Sequence, residues 1–259
     1  MNKVVVTGAG GKMGRVVVKA VAEDVEAELV GAIDLKPTEQ DNLELKAKAG
    51  IGFTSDPALT IKETGADVLV DFTTGDSVMA NAVAASESGA NVIIGTTGLS
   101  SGDIDALEGL AEKTGKNILL APNFAIGAVL MMKIAKTVSS FADRAEIIEL
   151  HHDKKVDAPS GTAKLTAEMI SSNLDTIPLP RDEDFKARGE RVGDIPVHSV
   201  RLPGLVAHQE VIFGFTGQTL TIRHDSIDRV SFMPGVLLAI KRIGDFPGFT
   251  YGLDKYLGL

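Results

Sequence analysis

"VVVTGAGGKMGRVVVKAV", residues 4 to 21, is the stretch on which the fold turns. Val4, Val5 and Val6 form an unbroken β-branched run with no polar alternation, the pattern of a parallel strand buried on both faces. Glycines then crowd the turn at Gly8, Gly10, Gly11 and Gly14, and apolar residues recur around most of a helix over 15 to 25. Strand, glycine turn and helix in that order place a helix N-terminus where an anion can sit. The common G-x-G-x-x-G spacing is not kept, because position 13 is Met13; the spacing present is G-x-x-G-x-x-G through Gly8, Gly11 and Gly14. The physics is similar: one glycine for a tight turn, one for close backbone approach to a pyrophosphate, one for helix–strand packing. This position favours dinucleotide binding over a glycine-rich turn with no ligand.

The same logic extends along the first half. "AELVGAID" (27 to 34), "ADVLVDFT" (66 to 73), "NVIIGTT" (91 to 97) and "NILLAP" (117 to 122) read as strands. Helical segments fall between them at 76 to 89, with Gly89 as C-cap, and at 100 to 115, with a serine N-cap and Gly115 at the end. No element is assigned between 35 and 65. Strands alternating with helices imply right-handed crossovers and an open parallel sheet.

The pattern changes after Asn123. A long helix is expected over 124 to 141, a strand over 145 to 152, and a helix over 160 to 173 capped by Ser160. The polar, proline-bearing stretch 174 to 196 reads as a long loop. Strands follow at 197 to 204, 209 to 215 and 218 to 226, the last two joined as an antiparallel hairpin at Gly217. A closing helix covers 233 to 244. The expectation is an α/β fold: a Rossmann-type doubly wound parallel sheet over 1–122, with 231–259 returning to it. A smaller α+β domain over 123–230 would bind substrate and carry oligomer contacts.

Composition narrows the function classes. The chain has 259 residues, a formal net charge of -9 from 26 Lys plus Arg against 35 Asp plus Glu, and no cysteine. An acidic surface repels phosphate backbones, so nucleic acid is not expected as a partner. Without cysteine there is no disulfide, thiolate metal site or Cys nucleophile. No segment is long enough to span a membrane, and a cytoplasmic location is expected.

Asp34 ends the second strand, 20 residues beyond Gly14. A carboxylate there accepts hydrogen bonds from a ribose and repels a 2′-phosphate, whereas Lys36 would attract that phosphate. The two cues conflict over NADH and NADPH. "DFTT" (71 to 74), "GTTG" (95 to 98) and "APNF" (121 to 124) put small or polar residues at the carboxyl ends of strands, where open α/β sheets bind ligands.

"HHDKKVDAPSGTA", 151 to 163, gathers two of the five histidines, two lysines and a helix start. Adjacent strand residues point to opposite faces, so His151 and His152 diverge unless the strand has ended. Imidazole, the Lys155 ammonium and the helix start at Ser160-Gly161-Thr162 suit a carboxylate ligand and supply proton donors near neutral pH. Divergent histidines without thiolates argue against zinc, and no metal is expected.

These motifs together resemble the dihydrodipicolinate reductase family. "GAGGKMGR" is similar to its cofactor loop; "DFT", "GTTG" and "NFAIG" are similar to its inner strand ends. "HHDKKVDAPSGTA" resembles its signature, and "HSVRLPGLVAHQEVIFG" its late strand pair. The resemblance covers almost the whole chain. It implies reduction of a cyclic imine dicarboxylate by NADH or NADPH in diaminopimelate and lysine biosynthesis, and a homotetramer joined through the second domain's sheet. It further implies cofactor contacts at Gly8, Ala9, Gly10, Gly11, Lys12 and Met13, with Asp34 at the ribose. Gly95, Thr96 and Thr97, with Ala121, Pro122, Asn123 and Phe124, would lie near the nicotinamide. His152, Lys155, Gly161, Thr162 and Thr97 would hold the substrate, with His151 as the acid and Lys155 its partner. Some members carry Arg directly after the ribose-binding acid; here that position is Leu35, which weakens an NADPH preference. Of the rival readings, an aspartate-semialdehyde dehydrogenase needs a cysteine that is absent. A sugar dehydrogenase has no need of the His-His-x-x-Lys run, and a dinucleotide-sensing regulator needs a basic face.

Overall fold

A computed structural model describes residues 1–174 and 187–259. The chain divides into two compact units, Met1–Phe124 with Phe232–Leu259, and Ala125–Ser231.

In the first unit the order is β1 (Asn2–Thr7), α1 (Lys12–Glu23), β2 (Ala27–Ile33), α2 (Glu39–Ala49), β3 (Phe53–Thr54), α3 (Pro57–Thr64), β4 (Val68–Asp71), α4 (Gly75–Glu87), β5 (Asn91–Ile94), α5 (Ser101–Thr114) and β6 (Ile118–Leu120). The second unit holds α6 (Ile126–Ser139), β7 (Arg144–His151), α7 (Gly161–Ser171), β8 (Glu190–Val192), β9 (Ile195–Arg201), β10 (Ala207–Phe215) and β11 (Gln218–Ser226). The chain then re-enters the first unit with α8 (Met233–Arg242), β12 (Phe249–Tyr251) and α9 (Asp254–Leu257).

The first sheet is parallel throughout, with strand order β12-β6-β5-β4-β1-β2-β3. The order reverses between β1 and β4, which puts the glycine turn after β1 at the switch point where such sheets take ligands. Val4, Val5 and Val6 are fully buried, as an unbroken β-branched run requires. Val5, Leu69, Ile94 and Ile118 belong to one core cluster. The C-terminal return is held on both sides. Strand β12 pairs in parallel with β6, and Asn2 Nδ2 donates to the Ile240 carbonyl at 2.6 Å.

Several boundaries differ from the sequence reading. The segment 35–65, assigned no element, contains α2, β3 and α3. Helix α2 starts at a Thr38–Asp41 capping box, and Asp56 caps α3 by accepting the Leu59 N–H. The cap of α4 is Ser88, with Gly89 following at φ 99°. Helix α5 keeps the expected Ser100 cap and ends at Gly115 with φ 66°.

In the second unit the sheet runs β11-β10-β7-β9-β8. Strands β7 and β9 are parallel, and the other neighbours antiparallel. The expected hairpin is present: Phe215 pairs with Gln218 across Thr216-Gly217. The stretch 174–196 is not one long loop. It contains β8 and the start of β9, which pair antiparallel around Gly193-Asp194; residues 175–186 lie outside the described residues. Along β7, Ala145, Ile147 and Glu149 are buried. Two of these are apolar core residues, and the third is a carboxylate.

Candidate active site

The glycine turn fits a dinucleotide by its own geometry. Gly8 has φ 71°, and the Gly11 N–H donates to the Gly8 carbonyl at 2.9 Å, closing the turn. A Cβ on Gly14 would lie 1.9 Å from the Gly8 oxygen, so only glycine lets α1 start this close to β1. The α1 N-cap, Gly11, has no side-chain hydrogen bond, and no acidic residue occupies the first turn. The amides at Lys12 and Met13 therefore face no side-chain acceptor of their own helix cap, as a helix start that receives a phosphate requires.

Asp34 is more than a solvated strand-end acid. Its Oδ2 accepts the Gly10 N–H at 2.9 Å and its Oδ1 accepts the Lys36 N–H at 3.0 Å. It ties the glycine turn to the end of β2, aided by the Ala9 N–H to Ile33 carbonyl bond at 3.1 Å. Leu35 beside it is 77% exposed.

The inner strand ends are organised by a carboxylate that the sequence reading treated only as part of a ligand edge. Asp71 is fully buried. Its oxygens accept from the hydroxyls of Thr7, Thr73 and Thr96, from the Thr73 N–H and from Asn81 Nδ2, at 2.7 to 3.0 Å. Thr96 is thus turned inward, and its hydroxyl is committed to Asp71. Of the "GTTG" residues, Thr97 is the exposed threonine. The Phe72 ring lies so close over Gly95 that a Cβ there would meet it at 2.2 Å, and Phe72 packs on Phe124 with centroids 5.9 Å apart. The Ala121 N–H donates to the Ile94 carbonyl at 3.0 Å. Pro122 is exposed, and Asn123 is partly exposed, just beyond.

In the second unit, β7 ends at His151, so His152 opens the loop rather than continuing the alternation. His151 and Glu149, two apart, share the inner face, and His151 Nδ1 lies 2.5 Å from Glu149 Oε2. His152 is partly exposed, and its Nδ1 is enclosed without a hydrogen-bond partner among the described residues. Lys155 Nζ donates to both oxygens of Asp157 at 2.8 Å, and the ammonium holds that carboxyl below its ordinary range. A substrate carboxylate on Lys155 would share it with Asp157. Ser160 caps α7 as expected, accepting the Ala163 N–H at 3.2 Å. Gly161 is exposed, and a Cβ on it would meet nothing within 4 Å, so packing does not fill the space at this helix start. Thr162 follows in the first turn of α7.

The sequence reading missed the two residues that join these parts, Glu149 and Arg201. Glu149 is fully buried. Arg201 NH1 donates to Oε2 at 2.9 Å and NH2 to Oε1 at 2.7 Å, a bidentate pair. The Ser160 N–H donates to Oε1 at 3.3 Å, and Arg201 NH2 also donates to the Asp157 carbonyl at 2.7 Å. Strand end, signature loop and helix start therefore converge on the Glu149–Arg201 pair. Burial alone would push that carboxyl up, but hydrogen bonds from His151, Arg201 and Ser199 bring it down to about 2. The available signal was a charged residue in the same inward register as Ala145 and Ile147. Among the described residues, no group of three or more His, Cys, Asp or Glu could hold a metal.

Family models match both halves of the chain: dihydrodipicolinate reductase, N-terminus, over residues 2–124, and dihydrodipicolinate reductase, C-terminus, over residues 127–257. The chain is 48% identical over 260 residues to a 4-hydroxy-tetrahydrodipicolinate reductase of Dehalococcoides mccartyi, covering 99% of this chain and 98% of that one. It is 45% identical over 262 residues to one of Desulfitobacterium hafniense, covering 98% of each. Among solved structures it is similar to a dipicolinate-bound dihydrodipicolinate reductase from Paenisporosarcina sp. TG-14, with TM-score 0.84 and 38% identity over 98% of this chain and 99% of that one. A probable dehydrogenase from Thermotoga maritima, at 12% identity and TM-score 0.68 over 98% of this chain and 92% of that one, shares the fold. With its glycine turn, its signature loop and nearly its full length matched, the chain belongs to the dihydrodipicolinate reductase family.

Proposed function

We propose that this protein reduces the dihydrodipicolinate formed from its hydroxy-tetrahydro precursor to tetrahydrodipicolinate, using NADH or NADPH, in diaminopimelate and lysine biosynthesis. The observation that carries the reading is the convergence of His151, the Asp157 end of the signature loop and the α7 start on the Glu149–Arg201 pair, in a chain matched end to end to named reductases.

The residues divide the work. The cofactor lies across Gly8 to Met13, the amides of Lys12 and Met13 at the α1 start hold the pyrophosphate, and Asp34 takes the adenosine ribose. Gly95, Thr96, Thr97 and the run Ala121 to Phe124 lie along the nicotinamide, Thr96 through its backbone because its hydroxyl is held by Asp71. When bound, the nicotinamide supplies a hydride to the ring carbon conjugated with the imine. His152, Lys155, Gly161, Thr162 and Thr97 hold the two substrate carboxylates. Lys155 also offsets the negative charge that grows as electron density enters the ring. His151 gives the proton that the reduced ring takes up, with Lys155 beside it. The similar solved structure with bound dipicolinate, itself a ring dicarboxylate, supports this substrate class.

We also assign a cytoplasmic location and a homotetramer joined through the β7–β11 sheet. Strand β11 is an edge with mostly exposed residues, Leu220 among them, and such an edge has to be covered. Light scattering of the purified protein tests the assembly.

The activity test is cofactor oxidation with purified dihydrodipicolinate synthase, pyruvate and aspartate semialdehyde, run with NADH and NADPH in parallel. Oxidation that needs the synthase and both of its substrates is the expected result. No oxidation by folded protein that binds either cofactor would overturn the reading.

A further inference from the structure

Glu149 does not touch the surface and is not among the residues assigned to cofactor or substrate, yet it meets His151, Arg201 and Ser160 at once. We propose that Glu149, clamped by Arg201, is a positioning residue that fixes which ring nitrogen of His151 carries the proton. The inference rests on the reductase reading for its consequence, not for its geometry.

Every hydrogen-bond partner of the Glu149 carboxylate is a donor or can be one. Arg201 reaches both oxygens with N–H groups, and the Ser160 N–H takes Oε1. Despite its burial, hydrogen bonds from His151, Arg201 and Ser199 hold this carboxyl at about 2, so it is ionised. The carboxylate is therefore an acceptor towards His151 as well, and Nδ1 must be the protonated nitrogen. Nε2 is then the nitrogen free to exchange a proton with a ligand. The arrangement is set by strand register. His151 on β7 lies directly opposite Arg201 on parallel β9, and Glu149 lies opposite Ser199.

The charged groups joined to the ring come from two strands, Glu149 from β7 and Arg201, paired to it, from β9, while the loop adds the Asp157 carbonyl on Arg201. Strand β10 presents uncharged Ala207 and Gln209 opposite His151 and Glu149, and α7 presents Ser160 and Thr166. Glu149 is thus the carboxylate within hydrogen-bond reach of the ring, and Arg201 prevents it from rotating away. As an acid the ring carries protons on both nitrogens; it gives the one on Nε2 and is left as the neutral Nδ1–H form that Glu149 accepts from, whereas a neutral Nε2–H ring could give its proton only by becoming an imidazolate.

The informative substitution is Glu149→Gln. Arg201 would claim the amide oxygen, which turns the amide NH2 towards Nδ1. Nδ1 must then accept, and the proton moves to Nε2. Ring 15N–1H correlation spectra of labelled protein, with the His151 signals assigned by loss in His151→Gln, read the tautomer without substrate or cofactor. At alkaline pH, where the ring is neutral, wild-type protein should show the Nδ1–H form, and E149Q the Nε2–H form. In the coupled assay E149Q should lose turnover on the order of a hundredfold, with KM and cofactor affinity little changed.

A wild-type ring in the Nε2–H form overturns the inference, and so does E149Q with an unchanged tautomer. Should E149Q not fold, the wild-type tautomer decides alone. Because the spectra need no turnover, the two readings fail separately. An inactive wild type with the Nδ1–H form sinks the reductase reading only, whereas an active wild type with the Nε2–H form sinks this inference only.

Discussion

The Thr96 hydroxyl donates to Asp71 Oδ1 at 2.7 Å, and both residues are buried. A threonine at the end of β5 is thereby locked to the end of β4, while the Thr7 hydroxyl locks β1 to the same carboxylate at 3.0 Å. Three adjacent strand ends are held in register by one acid; the β5 end carries the proposed nicotinamide contacts of Gly95 to Thr97, and the β1 end leads into the glycine turn.

Asp71→Asn should therefore cost about 1–3 kcal/mol, the usual penalty for disrupting a buried polar group. An amide NH2 would replace one acceptor among groups that all donate. Urea unfolding measures the loss, and cofactor titration should show weaker binding. Unchanged stability would mean that the hub tolerates a donor.

Gly14→Ala places a methyl 1.9 Å from the Gly8 oxygen. The start of α1 must lift from β1, at about 1–3 kcal/mol for overpacking. Cofactor affinity should fall while the circular dichroism of the remaining elements is kept. Wild-type affinity in this variant would show that the close approach is not needed.

Glu149 links pH to stability. Its carboxyl lies at about 2 in the folded chain against an ordinary value of 4.5. A depressed folded value contributes stability that is fully present above pH 4.5 and lost as pH falls from 4.5 to 2. The contribution is about 3 kcal/mol. Urea midpoints measured across that window should fall steeply for the wild type and less steeply for Glu149→Gln; parallel curves would contradict the assignment.

Lys155→Ala should lower turnover far more than it weakens cofactor binding, because Lys155 belongs to the second unit and the glycine turn to the first. Fluorescence titration with NADH alongside the coupled assay separates the two. Equal losses would count against Lys155 as a substrate group.

Leu35→Arg tests the cofactor edge. A guanidinium at this exposed position next to Asp34 can grip a 2′-phosphate in bidentate fashion, so the NADPH to NADH ratio of kcat/KM should rise. An unchanged ratio would move the ribose site away from Asp34.

Much of this molecule was legible in short stretches of sequence. An unbroken valine run, glycines at a strand-to-helix turn and serine caps act over a few residues, so local chemistry decides them. Elements without such a local signal were missed. Helix α2 offers only Leu43 and Leu45 as large apolar residues and shows no 3.6-residue pattern, and β8 is three residues with a polar majority. Both are defined by what they pair or pack with, not by their own composition.

The sequence by itself determined the nucleotide-type sheet, the anion-binding helix start and the clustering of His151, His152 and Lys155 with the start of α7. Only the tertiary structure decided that Asp71 faces inward with Thr96 bound to it, and that Glu149 joins His151 to Arg201. Those two residues stand 50 apart in the chain. They meet because β7 and β9 pair in parallel with His151 opposite Arg201. Register is a property of two strands together, and no local pattern in either strand specifies it.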